Sequence, residues 1–148
     1  VRDASWNRLL PGELVMLDGS RSIFAADPAD AEQRRRCAAL DIHPTGPMSG
    51  IDGPRPDSEV ATMEAGVMAA EEELVAGIKR FRLDGARRAL RCRVAELEFE
   101  RQGDTVELGF YLNTGSYATA VLKELLHYRQ PDQRGSGDEQ ISSQGYDR

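Results

Sequence analysis

The chain has 148 residues, 40% of them hydrophobic and 30% charged, the balance of a soluble globular protein with one ordinary domain or pieces of two. Its formal net charge of -6 argues against a generic nucleic-acid binder. No apolar run approaches the roughly 18 residues of a membrane span and no signal-peptide pattern opens the chain, so a cytoplasmic location without membrane contact is expected. The cysteines, Cys37 and Cys92, lie far apart without metal-ligand spacing and read as buried, reduced, structural thiols.

The chain opens abruptly at Val1-Arg2-Asp3, and the lone tryptophan, Trp6, follows at once. Residues 12–17 (GELVML) and 21–25 (RSIFA) flank Asp18-Gly19-Ser20, and an Asp-Gly pair between β-rich runs predicts a hairpin. Asp27-Pro28 predicts an N-cap and first-turn proline for a helix through about residue 39, whose surface carries Gln33, Arg34, Arg35 and Arg36. From Asp41 to Pro56 the density of Gly and Pro predicts a structured loop or a lid. Within it His43 is a candidate acid–base group or RNA contact, or else a loop histidine packed beside proline.

Asp57 opens the clearest helical pattern. Val60, Met63, Val67, Ala70 or Glu71, Leu74, Ile78 and Phe81 recur at spacings of three and four, with Gly85 as the stop. Glu71-Glu72-Glu73 reads as a solvated face, because consecutive helical side chains diverge by about 100° and cannot converge on one metal ion. Residues 88–100 alternate as a strand whose phase slips at Ala95-Glu96, which predicts a bulge. Before the slip Leu90, Cys92 and Val94 share one face and Arg91 and Arg93 the other. Gln102-Gly103-Asp104 turns the chain into a second alternating run, 105–112, expected to pair antiparallel with the first. A helix from Tyr117 to about Tyr128, capped by Ser116, follows, and the polar tail after Pro131 is expected to be disordered. The whole reads as an α+β fold of antiparallel strands with packed helices.

The average charge hides a local reversal. Between residues 79 and 93 stand Lys79, Arg80, Arg82, Arg87, Arg88, Arg91 and Arg93, opposed only by Asp84. Local positive density of this kind suits phosphate contacts, although arginines at a helix end are also commonly just solvated. No Gly-x-Ser-x-Gly elbow, His-Glu-x-x-His or paired histidines support a hydrolase or a metal enzyme.

The run Asn113-Thr114-Gly115-Ser116-Tyr117-Ala118-Thr119-Ala120-Val121-Leu122-Lys123-Glu124-Leu125 resembles the C-terminal motif of the TruD family of tRNA pseudouridine synthases, a Gly-Ser-aromatic-Ala-Thr stretch leading into a helix. Three further stretches match in the same order: Leu10-Pro11-Gly12-Glu13-Leu14, His43-Pro44-Thr45-Gly46-Pro47, and Arg87-Arg88-Ala89-Leu90-Arg91. The sequence departs from the family's pattern at Asn113-Thr114, usually Pro-Ala, and at Lys123, often Arg. Lys lacks the bidentate geometry of Arg.

The resemblance implies isomerisation of a tRNA uridine, usually that at position thirteen, to pseudouridine, by an aspartate and without metal or organic cofactor. The family's nucleophilic aspartate stands in an N-terminal Gly-x-Lys-Asp motif absent from this sequence. The chain is therefore expected to be a C-terminal fragment, inactive alone and partnered by the missing N-terminal half and by tRNA. By the same resemblance, residues 1–86 form the latter part of an insertion domain, 87–130 the C-terminal part of the catalytic domain, and 131–148 a disordered tail. Such a site needs a wall for a flipped base, positive charge near the carboxylate and a basic path for the backbone. Gly115, Ser116, Tyr117, Thr119 and Lys123 are candidate active-site support, with Tyr117 alternatively a core tyrosine and Lys123 alternatively a surface ion-pair partner. Arg87, Arg88, Arg91, Arg93 and His43 are candidate RNA contacts. The competing readings are a non-catalytic RNA-binding module and a plain α+β scaffold with solvated arginines.

Overall fold

The structure, a computed structural model, describes residues 5–126. They comprise a 3-10 turn at Ser5–Asn7, strands β1 (Leu14–Leu17) and β2 (Ile23–Ala25), helix α1 (Ala31–Ala38), strand β3 (Ile42–Met48), helices α2 (Ser58–Ala69) and α3 (Glu72–Phe81), strands β4 (Ala86–Ala89), β5 (Val94–Gln102) and β6 (Thr105–Leu112), and helix α4 (Ala118–Leu125). The fold is α+β. The chain forms two compact units, Val1–Ser116 and Tyr117–Arg148.

In the first unit an antiparallel sheet runs in the order β2-β1-β3-β4, and β5 and β6 form a separate two-stranded ribbon. The β1–β2 hairpin pairs Leu14 with Ala25 and Met16 with Ile23, and Gly19 takes the positive φ of 66° that the Asp-Gly turn requires. The core is small. Val15, Ala26, Cys37 and Ile42 are buried together, with Leu9, Leu17 and Phe24 partly buried against them.

α1 starts later than the proline pattern predicts. Asp30 is the N-cap, its carboxylate accepting from the N–H groups of Glu32 and Gln33, while Asp27 and Pro28 form a turn before it closed by Asp30 N–H to Asp27 O. Asp30 wins because its side chain satisfies two first-turn donors that Asp27 does not reach. At the other end, Asp41 N–H bonds Arg36 O and Leu40 N–H bonds Cys37 O, the double closure that places Leu40 at φ 58° where glycine is usual.

The expected loop after Asp41 is corrected. Residues 42–48 form β3, an inner strand paired with β1 through Met16–His43 and with β4 through Gly46–Arg88. Its prolines fall where the neighbouring ladders run out. Pro44 lies opposite Leu90, just past the end of β4, and there its carbonyl accepts from Leu90 N–H at 2.9 Å. Pro47 lies beyond the first paired residue of β1, so neither missing N–H interrupts a ladder.

The single helix expected over 57–81 is also corrected, to α2 and α3 broken at Ala70-Glu71, where Glu71 leaves helical geometry at φ -120° and ψ 46°. Glu72 and Glu73 stand in the first turn of α3, where the helix dipole is positive and favours carboxylates. The stripe expected to face a core is largely uncovered: Met63, Val67, Leu74 and Phe81 are exposed, and Val60 alone is buried on α2. Gly12 explains how α2 begins where it does. At φ 83° it presents its carbonyl to Asp57 N–H, and a Cβ there would lie 1.9 Å from Asp57 O.

The run 88–100 divides between two sheets. Residues up to Ala89 join β3, while the ribbon starts at Val94; its register shifts between Ala95 and Glu98, with Glu96 at φ 50°, so the bulge stands where the phase slip placed it. Between the two strands Cys92 and Leu90 are exposed, so the reading of both thiols as buried holds for Cys37 only. β6 has the bounds the alternation predicts and pairs antiparallel with β5. In the second unit, the N-cap of α4 is Tyr117 without a side-chain cap bond, rather than Ser116. The expected extension to Tyr128 and the tail after Pro131 lie outside the described residues. No helix among the described residues is long and apolar enough to cross a membrane.

Candidate functional site

Three of the four sequence stretches lie wholly in the first unit, and together with residues 113–116 of the fourth they meet in two polar networks on the β1–β3–β4 sheet. The first is sealed. Consecutive residues in a strand point to opposite faces. Arg87 thus turns inward, 5% exposed, and Arg88 outward. The Arg87 guanidinium donates from Nε to Thr45 Oγ1 (2.6 Å) and from Nη2 to Thr45 O (2.9 Å). It also holds Glu64 of α2 with both terminal nitrogens, at 2.6 and 3.2 Å. The Thr45 hydroxyl donates to Leu14 O, and the Thr45 N–H faces Glu13 Oε1 at 3.5 Å.

This leaves one arginine between a buried carboxylate, Glu13, and a partly buried one, Glu64. Glu64 takes the bidentate pairing, and Glu13, 3% exposed, is left with a long backbone contact. Burial pushes the Glu13 carboxyl up to about 7, against the opposing pull of Thr45 N–H and Arg87, with Glu64 adding to the rise. A carboxyl titrating near neutrality has the proton affinity general acid–base catalysis asks for. Here it is closed off from the surface: the cleft of about 170 Å³ beside this network is lined by Glu64 and Arg87 but not by Glu13. Its place is in the packing of α2 against the sheet.

The second network reaches the surface. His43 is 2% exposed, and its Nε2 meets Asp18 Oδ1 at 2.8 Å. Its Nδ1 is buried without a partner, which places the ring proton on Nε2, donating to Asp18, since an unmet N–H costs more than an unmet lone pair. The same Asp18 oxygen accepts from Asn113 Nδ2 at 2.8 Å, and Arg93 Nε lies 3.7 Å from Asp18 Oδ2. Two residues on, Gly115 turns at φ 92°, and its carbonyl accepts from Arg88 Nη2 at 2.6 Å. The turn is closed by Ser116 N–H to Asn113 O at 3.0 Å.

Of the expected RNA-contact residues, then, His43, Arg88 and Arg93 gather around the 113–116 loop with Gly115 and Ser116, while Arg87 belongs to the sealed network. Arg91 goes elsewhere again. It donates to Asn7 Oδ1 and to the carbonyls of Cys37 and Ile42, the last at 3.0 Å, while Arg93 donates to Ala39 O and Leu40 O at 2.7 and 3.3 Å. Two cations thereby close the C-terminal end of α1, where free carbonyls concentrate negative charge. In the second unit, Tyr117 and Thr119 are exposed and Lys123 stands in the last turn of α4. Thr119 and Lys123, four apart, share a helix face, whereas Tyr117 is the N-cap, with extended backbone at φ -112° and ψ 119°.

Sequence reasoning missed Asp18, read only as a turn residue, and Glu64, read only as part of an apolar helix. Asp18 meets a partner 95 positions away, and no local spacing signals that. Glu13 stood in a quoted motif, but nothing in the motif says its carboxyl is buried.

A family model, tRNA pseudouridine synthase D (TruD), matches residues 1–125. The tRNA pseudouridine synthase D of Xanthomonas euvesicatoria is 41% identical over 128 residues, which cover 84% of this chain and 35% of the relative. Those of Psychrobacter arcticus and Methylococcus capsulatus are 39% and 40% identical, covering 85% and 86% of this chain and 33% and 36% of theirs. The chain spans about a third of the length of the curated relatives it matches. A match over 125 residues that takes in both networks and the 113–116 loop leaves one conclusion: the chain belongs to the TruD family.

Proposed function

We propose that this chain is the C-terminal part of a tRNA pseudouridine synthase, contributing the 113–116 loop, Tyr117, Thr119 and Lys123 to a site whose nucleophilic aspartate comes from the part of the enzyme that precedes it. The observation that carries this reading is the family match over 125 residues with relatives named for that activity. The reaction breaks the N1–C1′ bond of a uridine, joins C5 to C1′ and releases the C5 proton to solvent while N1 gains one. The substrate uridine is the one at position thirteen of tRNA. Neither metal nor organic cofactor takes part. Residues 1–86 are the latter part of the insertion domain and 87–130 return to the catalytic domain, the chain passing between them within β4.

The residues divide by exposure. Arg88 and Arg93, both exposed, contact the RNA backbone; Arg87, Arg91 and His43, turned inward, support the elements that carry them. Tyr117, 63% exposed, supplies an aromatic face for a flipped base. The exposed apolar surface of the ribbon, with Leu97, Phe99, Val106 and Tyr111, fits an enzyme from which the rest of a catalytic domain is missing, because a lone two-stranded ribbon is marginal in water.

Tritium release from tRNA labelled at uridine C5 tests the reading, with the chain alone and with a family N-terminal half added. Release only in the second case supports it. Release by the chain alone would show that the chemistry needs no aspartate from outside, and no release in either case, with tRNA binding retained, would favour the non-catalytic binding module. Within the active pair, Lys123→Met is expected to lower kcat/KM roughly 10- to 100-fold, as loss of one positioned cation does.

A further inference from the structure

The 113–116 loop is held from two sides by the four-stranded sheet. Asn113, Thr114 and Gly115 are exposed, so packing does not fix them. What reaches them is Asp18, through Asn113 Nδ2 at 2.8 Å, and Arg88, through Gly115 O at 2.6 Å. Asp18 is itself rigidly placed. Its N–H bonds Asp41 O at 2.9 Å at the end of the β1–β3 ladder, and its Oδ1 accepts a hydrogen bond from Nε2 of the buried His43 at 2.8 Å. A carboxylate accepting two bonds on one oxygen, with a guanidinium 3.7 Å from the other, has few orientations left to it.

We propose that Asp18, oriented by His43, is a positioning residue that fixes the 113–116 loop through Asn113. It acts on the reaction through the loop and touches no substrate itself. Its bearing on catalysis rests on the function proposed above; its hold on the loop does not. The chemistry is specific in a testable way. An asparagine at position 18 can still accept from both His43 Nε2–H and Asn113 Nδ2–H, so the latch depends on a hydrogen-bond acceptor rather than on charge.

The reporter is Ser116 N–H, whose bond to Asn113 O closes the loop. In the full chain, amide exchange by NMR is expected to speed up roughly 10-fold at Ser116 in Asp18→Ala, consistent with losing one hydrogen bond, and to stay near wild type in Asp18→Asn. Asn113→Ala, which changes no residue of the β1–β2 turn, should give the same acceleration, and the double variant Asp18→Ala/Asn113→Ala no further one. Unchanged exchange in either single variant, or fully additive effects, would overturn the latch.

In the active pair with the N-terminal half, Asp18→Ala should lower kcat roughly 10-fold with KM held within about 2-fold, and Asp18→Asn should restore it. A latch seen by exchange with kcat unchanged would overturn the positioning role while leaving the proposed function intact. If wild type itself proves inactive on tRNA, the proposed function fails and the exchange data alone decide whether Asp18 holds the loop.

Discussion

Replacing Glu13 by Gln should flatten the stability of this chain between pH 5.5 and 8. Glu13 is a raised carboxyl, at about 7 in the folded chain against the ordinary value of 4.5. Its protonated form therefore stabilises the fold fully below pH 4.5, and that contribution is lost as the pH climbs through 7. Integrating the two titrations gives a loss of about 2 kcal/mol between pH 5.5 and 8, and any water reaching the carboxyl lowers it toward 1. For a fold of this size that is roughly 4–8 °C in Tm. The lowered carboxyls at Asp30 and Glu32, pulled down chiefly by Glu32 N–H and by Arg35, titrate below this window and leave it undisturbed. Thermal melts of wild type and Glu13→Gln at the two pH values are the assay. A wild-type slope that survives unchanged in Glu13→Gln would refute the assignment of the buried proton to this residue.

Arg87→Met strands Glu64 and the Thr45 carbonyl without donors and should destabilise by about 3–5 kcal/mol in urea titration, with most of that recovered in Arg87→Met/Glu64→Leu. Ile42→Val, at a fully buried core position, should cost about 1 kcal/mol in the same titration. A thiol reagent should label the exposed Cys92 at once and the buried Cys37 only on unfolding, so equal rates at the two would contradict the packing of α1 on the sheet. The chain alone should melt broadly and bind an apolar dye, and Phe99→Lys, at a side chain 77% exposed, should reduce dye binding without lowering Tm.

Much of the strand framework is legible in the sequence, for local reasons. Asp18-Gly19 demands a turn, the alternation of 105–112 fixes β6, and the slip near Ala95 is the bulge itself. β3 is illegible because Pro44, Gly46 and Pro47 carry the chemistry of a loop, and only the ends of its neighbours' ladders make room for them. The α2–α3 break is hidden because the apolar spacing continues across Ala70-Glu71 while the charges of Glu71 to Glu73 favour a new start. The 113–116 loop is visible through its resemblance, and so are the residues around it. The grip on that loop is not, since Asp18 and Asn113 come together only through tertiary structure. By the resemblance Asn113 stands where a proline is expected, and the difference has a physical content here: an asparagine side chain has an N–H to give Asp18, and proline has none.

The proposed role, in which this chain completes a tRNA pseudouridine synthase, is tested most directly by mapping pseudouridine in tRNA by carbodiimide adduct and primer extension. Incubated with the chain and a family N-terminal half together, tRNA should acquire a stop one nucleotide 3′ of position thirteen that neither piece produces alone. A stop produced by the chain alone, or none with both pieces present and folded, would contradict that role.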